Sequence, residues 1–215
     1  MNPFPVILSA PSGGGKTTIA RELLRRRADV GYSVSCTTRA PRPGEEDGRD
    51  YHFLAPQEFG ERRERGDFAE WAEVHGRFYG TLRSEVERVL ASGRHVLMDI
   101  DVHGAAQFAA AFPESVLVFL LPPSAAVLRA RLVGRMTEDG ETLRVRLRTS
   151  RAEIEAVGAY EYVIVNDDLE RALRDVSAVI DAEAVRRVRQ PTLAGHCARL
   201  VEGLDGLLNE TSTRD

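Results

Sequence analysis

The sequence has a single lysine. Lys and Arg together number 29 in 215 residues, so the other 28 cationic side chains are arginines. A lone lysine marks a position where a compact ammonium on a flexible stem is not replaceable by a planar guanidinium. Cysteine is almost as scarce. Cys36 and Cys197 lie far apart and show neither metal-ligand nor redox spacing, which excludes a disulfide framework and points to free thiols in a reducing compartment. No apolar run approaches the roughly 18 residues of a membrane span, and Met1 to Gly14 lack the basic start and long apolar stretch of a secretory signal. The formal charge of -4 gives no basic excess of the kind that nucleic acid attracts. The expectation is a cytoplasmic globular protein with one main core, which 43% apolar residues can fill.

What is present is an alternation. Pro5 to Ala10 is an apolar run, and Pro11 to Gly15 interrupts regular structure. Thr17 to Arg27 then carries Ile19, Ala20, Leu23 and Leu24 at helical spacing. Later runs at Val96–Ile100, Val116–Leu121 and Tyr162–Val165 read as buried strands. Each precedes a helical stretch, about Ala105–Phe112, Ser124–Arg135 and Leu169–Ala182. Strands alternating with helices predict an α/β fold with a parallel sheet covered on both faces. Two regions break the pattern. Thr38 to Thr81 reads as a small mixed α/β insertion with strands at Tyr51–Leu54 and Phe68–Val74, and Gly134 to Arg148 as a surface helical hairpin or lid. From Ala184 onward a terminal helix and a disordered end from Asn209 are expected.

Lys16 sits in Ala10-Pro-Ser-Gly-Gly-Gly15-Lys16-Thr17, a phosphate-binding loop pattern with Ala10 in place of the first glycine. Glycines let successive N–H groups point at phosphate oxygens, and the following helix adds the positive end of its dipole. Lys16 would reach the β- and γ-phosphates, and the Thr17 hydroxyl would ligate Mg²⁺. Asp99-Ile-Asp101 ends an apolar run, which puts carboxylates at the carboxyl edge of a parallel sheet where ligands bind. Asp99 can hold the Mg²⁺ through water, while the plainer reading of such an acid is a helix N-cap. Arg39 and Arg42, three apart on a proline-stiffened loop, can converge on one dianion; the plainer reading is a solvated charged loop.

The chain resembles guanylate kinases. The resemblance rests on seven segments in order: Ser9–Lys16, Ser33–Glu45, Glu70–Glu73, Tyr79–Thr81, Asp99–Asp101, Leu121–Ser124 and Ile164–Asp168. It covers about residues 5–183 and implies a phosphate-loop NTPase-type parallel sheet flanked by helices, a mixed GMP-binding insertion and a helical lid. The implied division is a core of 1–37, 82–133 and 149–185, a GMP-binding domain of 38–81, a lid of 134–148, and a C-terminal helix and tail of 186–215. It implies transfer of a phosphoryl group from ATP to GMP with Mg²⁺, and ATP and GMP as partners, with neither nucleic acid nor membrane; self-association stays open. On the donor side it implies the loop Ala10, Pro11, Ser12, Gly13, Gly14, Gly15, Lys16, Thr17 and Thr18, with Asn166 beside the adenine and Arg135 and Arg146 approaching the transferred group. Arg39, Arg42, Tyr51 and Tyr79 would hold the GMP phosphate with Glu45 nearby. Ser35, Glu70, Thr81 and Asp101 would read the guanine. The lid departs from the family's usual Gly-Arg-Gly, having Met136 after Arg135, and Gly140 stands where an acid is common. The rival readings are a non-catalytic module of the same family and a phosphate-loop kinase for another acceptor such as AMP, shikimate or gluconate.

Overall fold

Pro5–Ser9 is buried at every position, and this burial on both faces makes it the centre of the structure. The computed structural model describes residues 2–74, 76–133 and 140–212. In chain order these form β1 (Pro5–Ser9), α1 (Lys16–Arg26), β2 (Val30–Tyr32), β3 (Cys36–Thr37), β4 (His52–Phe53), α2 (Pro56–Glu64), β5 (Phe68–Val74) and β6 (Arg77–Leu82). They continue with α3 (Arg83–Ala91), β7 (His95–Asp99), α4 (Val102–Ala111), β8 (Val116–Leu121), α5 (Ala125–Val133), α6 (Gly140–Glu155), β9 (Tyr162–Val165), α7 (Leu169–Ala184) and α8 (Leu193–Ser212).

The main sheet has the order β2-β7-β1-β8-β9, and all of its pairings are parallel. Alternate side chains of β1 serve opposite faces, as the two-residue period requires. Val6 and Leu8 pack with Ile19, Leu23, Val176 and Ile180 of α1 and α7. Ile7 packs with Val86, Val89, Met98 and Phe108 of α3, β7 and α4. From β1 the chain passes through α1 to β2 on one side of the sheet, while from neighbouring β8 it passes to β9 on the other, so the loop after β1 lies beside the point where strand order reverses. Ligands of open parallel sheets bind there.

A second sheet runs β4-β3-β6-β5, with β3/β6 and β5/β6 antiparallel and β3/β4 parallel. Cys36, Phe59, Phe68 and Leu82 fill its small core, where the Phe59 and Phe68 rings stack at 4.3 Å. Gln107 of α4 ties this sheet to the main body. Its side-chain amide donates to the Trp71 carbonyl at 3.1 Å and its oxygen accepts from the Trp71 N–H at 3.2 Å.

Several boundaries differ from the sequence expectation, three of them by more than a residue or two. The helix expected from Ala105 begins at Val102, because Asp101 caps it by accepting from the His103 and Gly104 amides. The strand expected over Tyr51–Leu54 is confined to His52–Phe53. The terminal helix expected from Ala184 onward begins only at Leu193, after α7 has ended at Ala184, and it continues past Asn209 to Ser212, so the disordered end does not begin where expected. Of the expected lid, residues 134–139 lie outside the described residues and 140–148 belong to α6.

Gly80 lets β5 and β6 approach closely: a Cβ there would fall 2.8 Å from the Glu70 carbonyl oxygen and 3.0 Å from Trp71 Cβ. Gly60, inside α2, has open space around it. Opposite signs are therefore expected. Gly80→Ala should cost about 1–3 kcal/mol by forcing the strands apart, while Gly60→Ala should gain about 0.5–1 kcal/mol of helix stability. Urea unfolding of the two variants checks both, and equal effects would contradict the close packing at Gly80.

Candidate active site

The loop between β1 and α1 is shaped by Gly13 and Gly15, which hold positive φ of 82° and 94°. The Gly14 N–H closes a turn onto the Pro11 carbonyl at 2.7 Å. At Gly15 a Cβ would lie 2.3 Å from Asn166 Nδ2, so a side chain there would push that amide aside as well as strain the positive φ. That same Nδ2 donates to the Gly14 carbonyl at 2.8 Å from a buried position, so Asn166 locks the loop from the end of β9. Lys16 is the first residue of α1. Burial pushes its pKa down, and the charges of Asp99, Asp101, Glu153 and Glu70 oppose that shift.

Two cavities flank this lysine loop. The larger, about 540 Å³, is lined by Thr17, Arg21, Tyr32, Ser35, Tyr51, Glu70, Tyr79, Asp99 and Asp101, among others. Thr17 Oγ1 donates to Asp99 Oδ2 at 3.2 Å, and Tyr32 Oη donates to Asp99 Oδ1 at 3.4 Å. Glu70 is buried and accepts from Thr81 Oγ1 at 2.7 Å. Burial raises its pKa, with the Thr81 hydrogen bond opposing. Asp101 commits Oδ1 to capping α4, so it is an N-cap and a cavity wall at once. The smaller cavity, about 490 Å³, is lined by Gly13, Gly15, Thr18, Arg131, Asn166, Asp167 and Leu169. Arg131 Nη2 donates to the Asn166 carbonyl at 2.9 Å.

The structure brings most of the predicted residues together, but not all. Ser35, Tyr51, Glu70, Tyr79 and Asp101 line the larger cavity, and Thr81 stands behind Glu70. Arg39 and Glu45 form a two-pronged ion pair at 2.8 and 2.9 Å. The Arg39 guanidinium lies 5.4 Å from the Tyr51 ring centre. Glu45 also accepts from the Arg42 backbone N–H at 2.7 Å, and Arg39 holds its pKa at about 2. Glu45 thus organises the arginine loop. Arg42 is exposed and does not line the cavity. Arg146 donates to Ser12 Oγ at 3.2 Å, and Arg135 lies outside the described residues. Sequence reasoning missed Tyr32, Arg21, Arg131 and Glu153. Tyr32 ends a three-residue strand too short to show a period, and the two arginines are indistinguishable in sequence from surface arginines on a helix.

The Thr17 hydroxyl and Asp99 carboxylate form an oxygen-only pair facing the cavity, a donor type that suits Mg²⁺. Among the described residues no three His, Cys, Asp or Glu side chains gather as a metal cluster. A divalent ion at this pair would therefore draw other ligands from phosphate oxygens and water, as Mg²⁺ commonly does.

The family model described as Guanylate kinase matches residues 2–183. The chain belongs to the guanylate kinase family. It is 48% identical to the guanylate kinase of Aromatoleum aromaticum over 185 residues, 86% of this chain and 91% of the relative. With the guanylate kinase of Anaeromyxobacter dehalogenans it shares 50% identity over 183 residues, covering 84% of this chain and 81% of the other. The crystal structure of guanylate kinase from Anaplasma phagocytophilum superimposes with a TM-score of 0.70 at 35% identity, over 90% of this chain and 92% of that one. The parallel sheet flanked by helices, with its mixed second sheet, is therefore the fold of this guanylate kinase as the sequence resemblance implied. The matched region ends just before α7 does, so α8 lies beyond it.

The raised pKa of Glu70 has a sign that can be tested. Its carboxyl sits above the ordinary value of 4.5 in the folded protein, so the folded chain binds this proton more tightly than the unfolded one. Its contribution to stability is full below that ordinary value and is lost as pH rises through the elevated one. Urea unfolding between about pH 4 and pH 8 should show the wild type losing stability relative to Glu70→Gln as pH rises. A pH-independent difference would mean that the site leaves Glu70 unshifted.

Proposed function

We propose that this guanylate kinase transfers the γ-phosphoryl group of ATP to GMP, with GMP in the larger cavity and the ATP base beside Asn166 in the smaller. One observation carries the assignment: Glu70 is a buried carboxylate, fixed by Thr81, in the wall of a cavity that also contains Thr17 and Asp99. Guanine offers N1–H and its 2-amino group as adjacent donors, which one carboxylate accepts together. Adenine has a lone pair at N1 and would leave that carboxylate unpaired, a mismatch that can discriminate by about 10⁴-fold or more. Ser35, Asp101 and Thr81 complete the guanine pocket, Asp101 through the oxygen that is not capping α4. Residues 38–81 form the acceptor domain and 134–148 the lid.

The transfer needs no protein nucleophile. A phosphate oxygen of GMP attacks Pγ in line, the bond from Pγ to the β–γ bridging oxygen breaks, and that oxygen leaves with ADP. The protein supplies position and positive charge. Arg39, held by Glu45 and stacked near Tyr51, presents a fixed guanidinium to the GMP phosphate with Tyr51 and Tyr79 beside it. Arg42 follows on the same exposed loop. Lys16 and the loop amides hold the ATP phosphates, and Arg146 and Arg135 serve the transferring group. Thr17 directly and Asp99 through water would hold Mg²⁺, which when bound neutralises phosphate charge. The retention of Lys16, Arg39 and Arg42 favours turnover over a non-catalytic module. No described helix is long and apolar enough to cross a membrane, which accords with the cytoplasmic setting that we assign.

A coupled assay with GMP and AMP as competing acceptors tests the reading. Glu70→Gln should lose at least tenfold in kcat/KM for GMP, about 1.4 kcal/mol, and narrow the GMP-to-AMP ratio. Arg42→Ala should weaken both acceptors together, because both carry the same phosphate. An unchanged ratio in Glu70→Gln would move base reading to Asp101 and Ser35. On the donor side, an amine-acylating reagent should modify Lys16, and saturating MgATP should protect it; labelling indifferent to ATP would place the lysine outside the phosphate site.

A further inference from the structure

Ser12 belongs to the phosphate loop, yet all three of its polar groups are engaged by one face of α6. Its backbone N–H donates to Glu153 Oε2 at 3.0 Å. Its hydroxyl oxygen accepts from Arg146 Nη2 at 3.2 Å. Its carbonyl accepts from the buried Ser150 hydroxyl at 3.4 Å. Positions 146, 150 and 153 are four and three apart, the spacing that brings side chains onto one face of a helix. Turning α6 by one residue, about 100°, would break all three contacts at once. The rotational setting of this helix is thus read off a single loop residue.

The three contacts differ in strength. Ser150 makes a long bond between neutral groups, and Arg146 is the side chain whose charge is wanted elsewhere. Glu153 makes the charge-assisted bond, to a backbone amide that cannot swing away. It lies two helical turns from Arg146, about 10 Å along the axis, and close enough to Lys16 for the two charges to act on each other. Its carboxyl is half-buried in its surroundings, where burial raises its pKa while the Ser12 amide and Lys16 oppose the shift.

We propose that Glu153 is a positioning residue for phosphoryl transfer: by holding the Ser12 amide it sets the rotation of α6 on the phosphate loop, and through it the placement of the Arg146 guanidinium. It touches neither substrate. Its effect is on the step in which Arg146 must meet developing charge, where a displacement of about 1 Å can cost on the order of 100-fold. The inference rests on the transfer reading given above. Wild-type turnover with ATP and GMP, measured alongside, tests that reading separately.

Two conservative variants separate reach from charge. Glu153→Asp keeps the charge but withdraws the carboxylate by about one bond length, roughly 1.5 Å, beyond hydrogen-bonding distance of the Ser12 amide. Glu153→Gln keeps the reach and an acceptor oxygen but removes the charge. The Asp variant should lose kcat by about tenfold or more, with KM for GMP unchanged, because the acceptor cavity lies on other elements. The Gln variant should keep kcat within about threefold of wild type, and this rescue separates positioning from loss of fold. Thermal midpoints of the two should be alike. The proposal is overturned if the Asp variant turns over like wild type. It is equally overturned if Gln is the more impaired, which would make the charge facing Lys16, and not the hold on Ser12, the part of Glu153 that turnover depends on, or if both lose kcat in step with their thermal midpoints.

Discussion

Lys16 carries a positive charge into a partly buried place, and much of the site can be understood as the answer to that charge. Burial pushes the pKa of the ammonium down, and the charges of four carboxylates oppose that shift. They come from four elements: Glu70 from β5, Asp99 from the end of β7, Asp101 from the cap of α4 and Glu153 from α6. A charge buried without such partners would lose its proton rather than stay in the interior. The second sheet, the main sheet and α6 are thus joined electrostatically at one atom. Each acid has a further duty: Asp99 meets Thr17 and Tyr32, Asp101 caps α4, Glu70 is set by Thr81, and Glu153 holds Ser12.

The inner strands of the central sheet, β1, β7 and β8, were legible in sequence because they are buried on both faces. β8 and β9 coincide with their expected ranges, since Val, Ile, Leu and Phe cluster there between clear breaks, and β5 of the second sheet coincides with its own. β2, β3 and β4, of two or three residues, are held by their neighbours and are too short to show a period. β6 was hidden by Arg77 and Gly80, which interrupt its apolar pattern, although Gly80 is what permits the close pairing with β5. α3 did carry a readable signal, Val86, Val89 and Leu90 at helical spacing, within a stretch that the mixed composition around it obscured.

The site was legible where a residue type has one chemical use, as for the lone lysine in a glycine loop. It was less legible where contacts decide. Glu45 lies in the GMP motif, but in the structure its carboxylate is spent on Arg39 and the Arg42 amide. Asn166 lines the smaller cavity and also pins Gly14. Asp101 is the helix N-cap of the plainer reading, through Oδ1, and it also lines the larger cavity. Nothing in sequence spacing could link Glu153 to Ser12, which lie 141 positions apart.

The two hydrogen bonds between Gln107 and Trp71 bear on a different property, the behaviour of the protein at high concentration. β5 is an outer strand of the second sheet, and an outer strand offers a row of unpaired amides and carbonyls to any extended chain that drifts past. Gln107 answers both groups of the Trp71 peptide with one side-chain amide, imitating the strand that is not there. The helix that supplies it stands where an incoming strand would have to lie. A glutamine on α4 thereby occupies, at Trp71, the two bonding positions that an added strand would need beside the larger cavity.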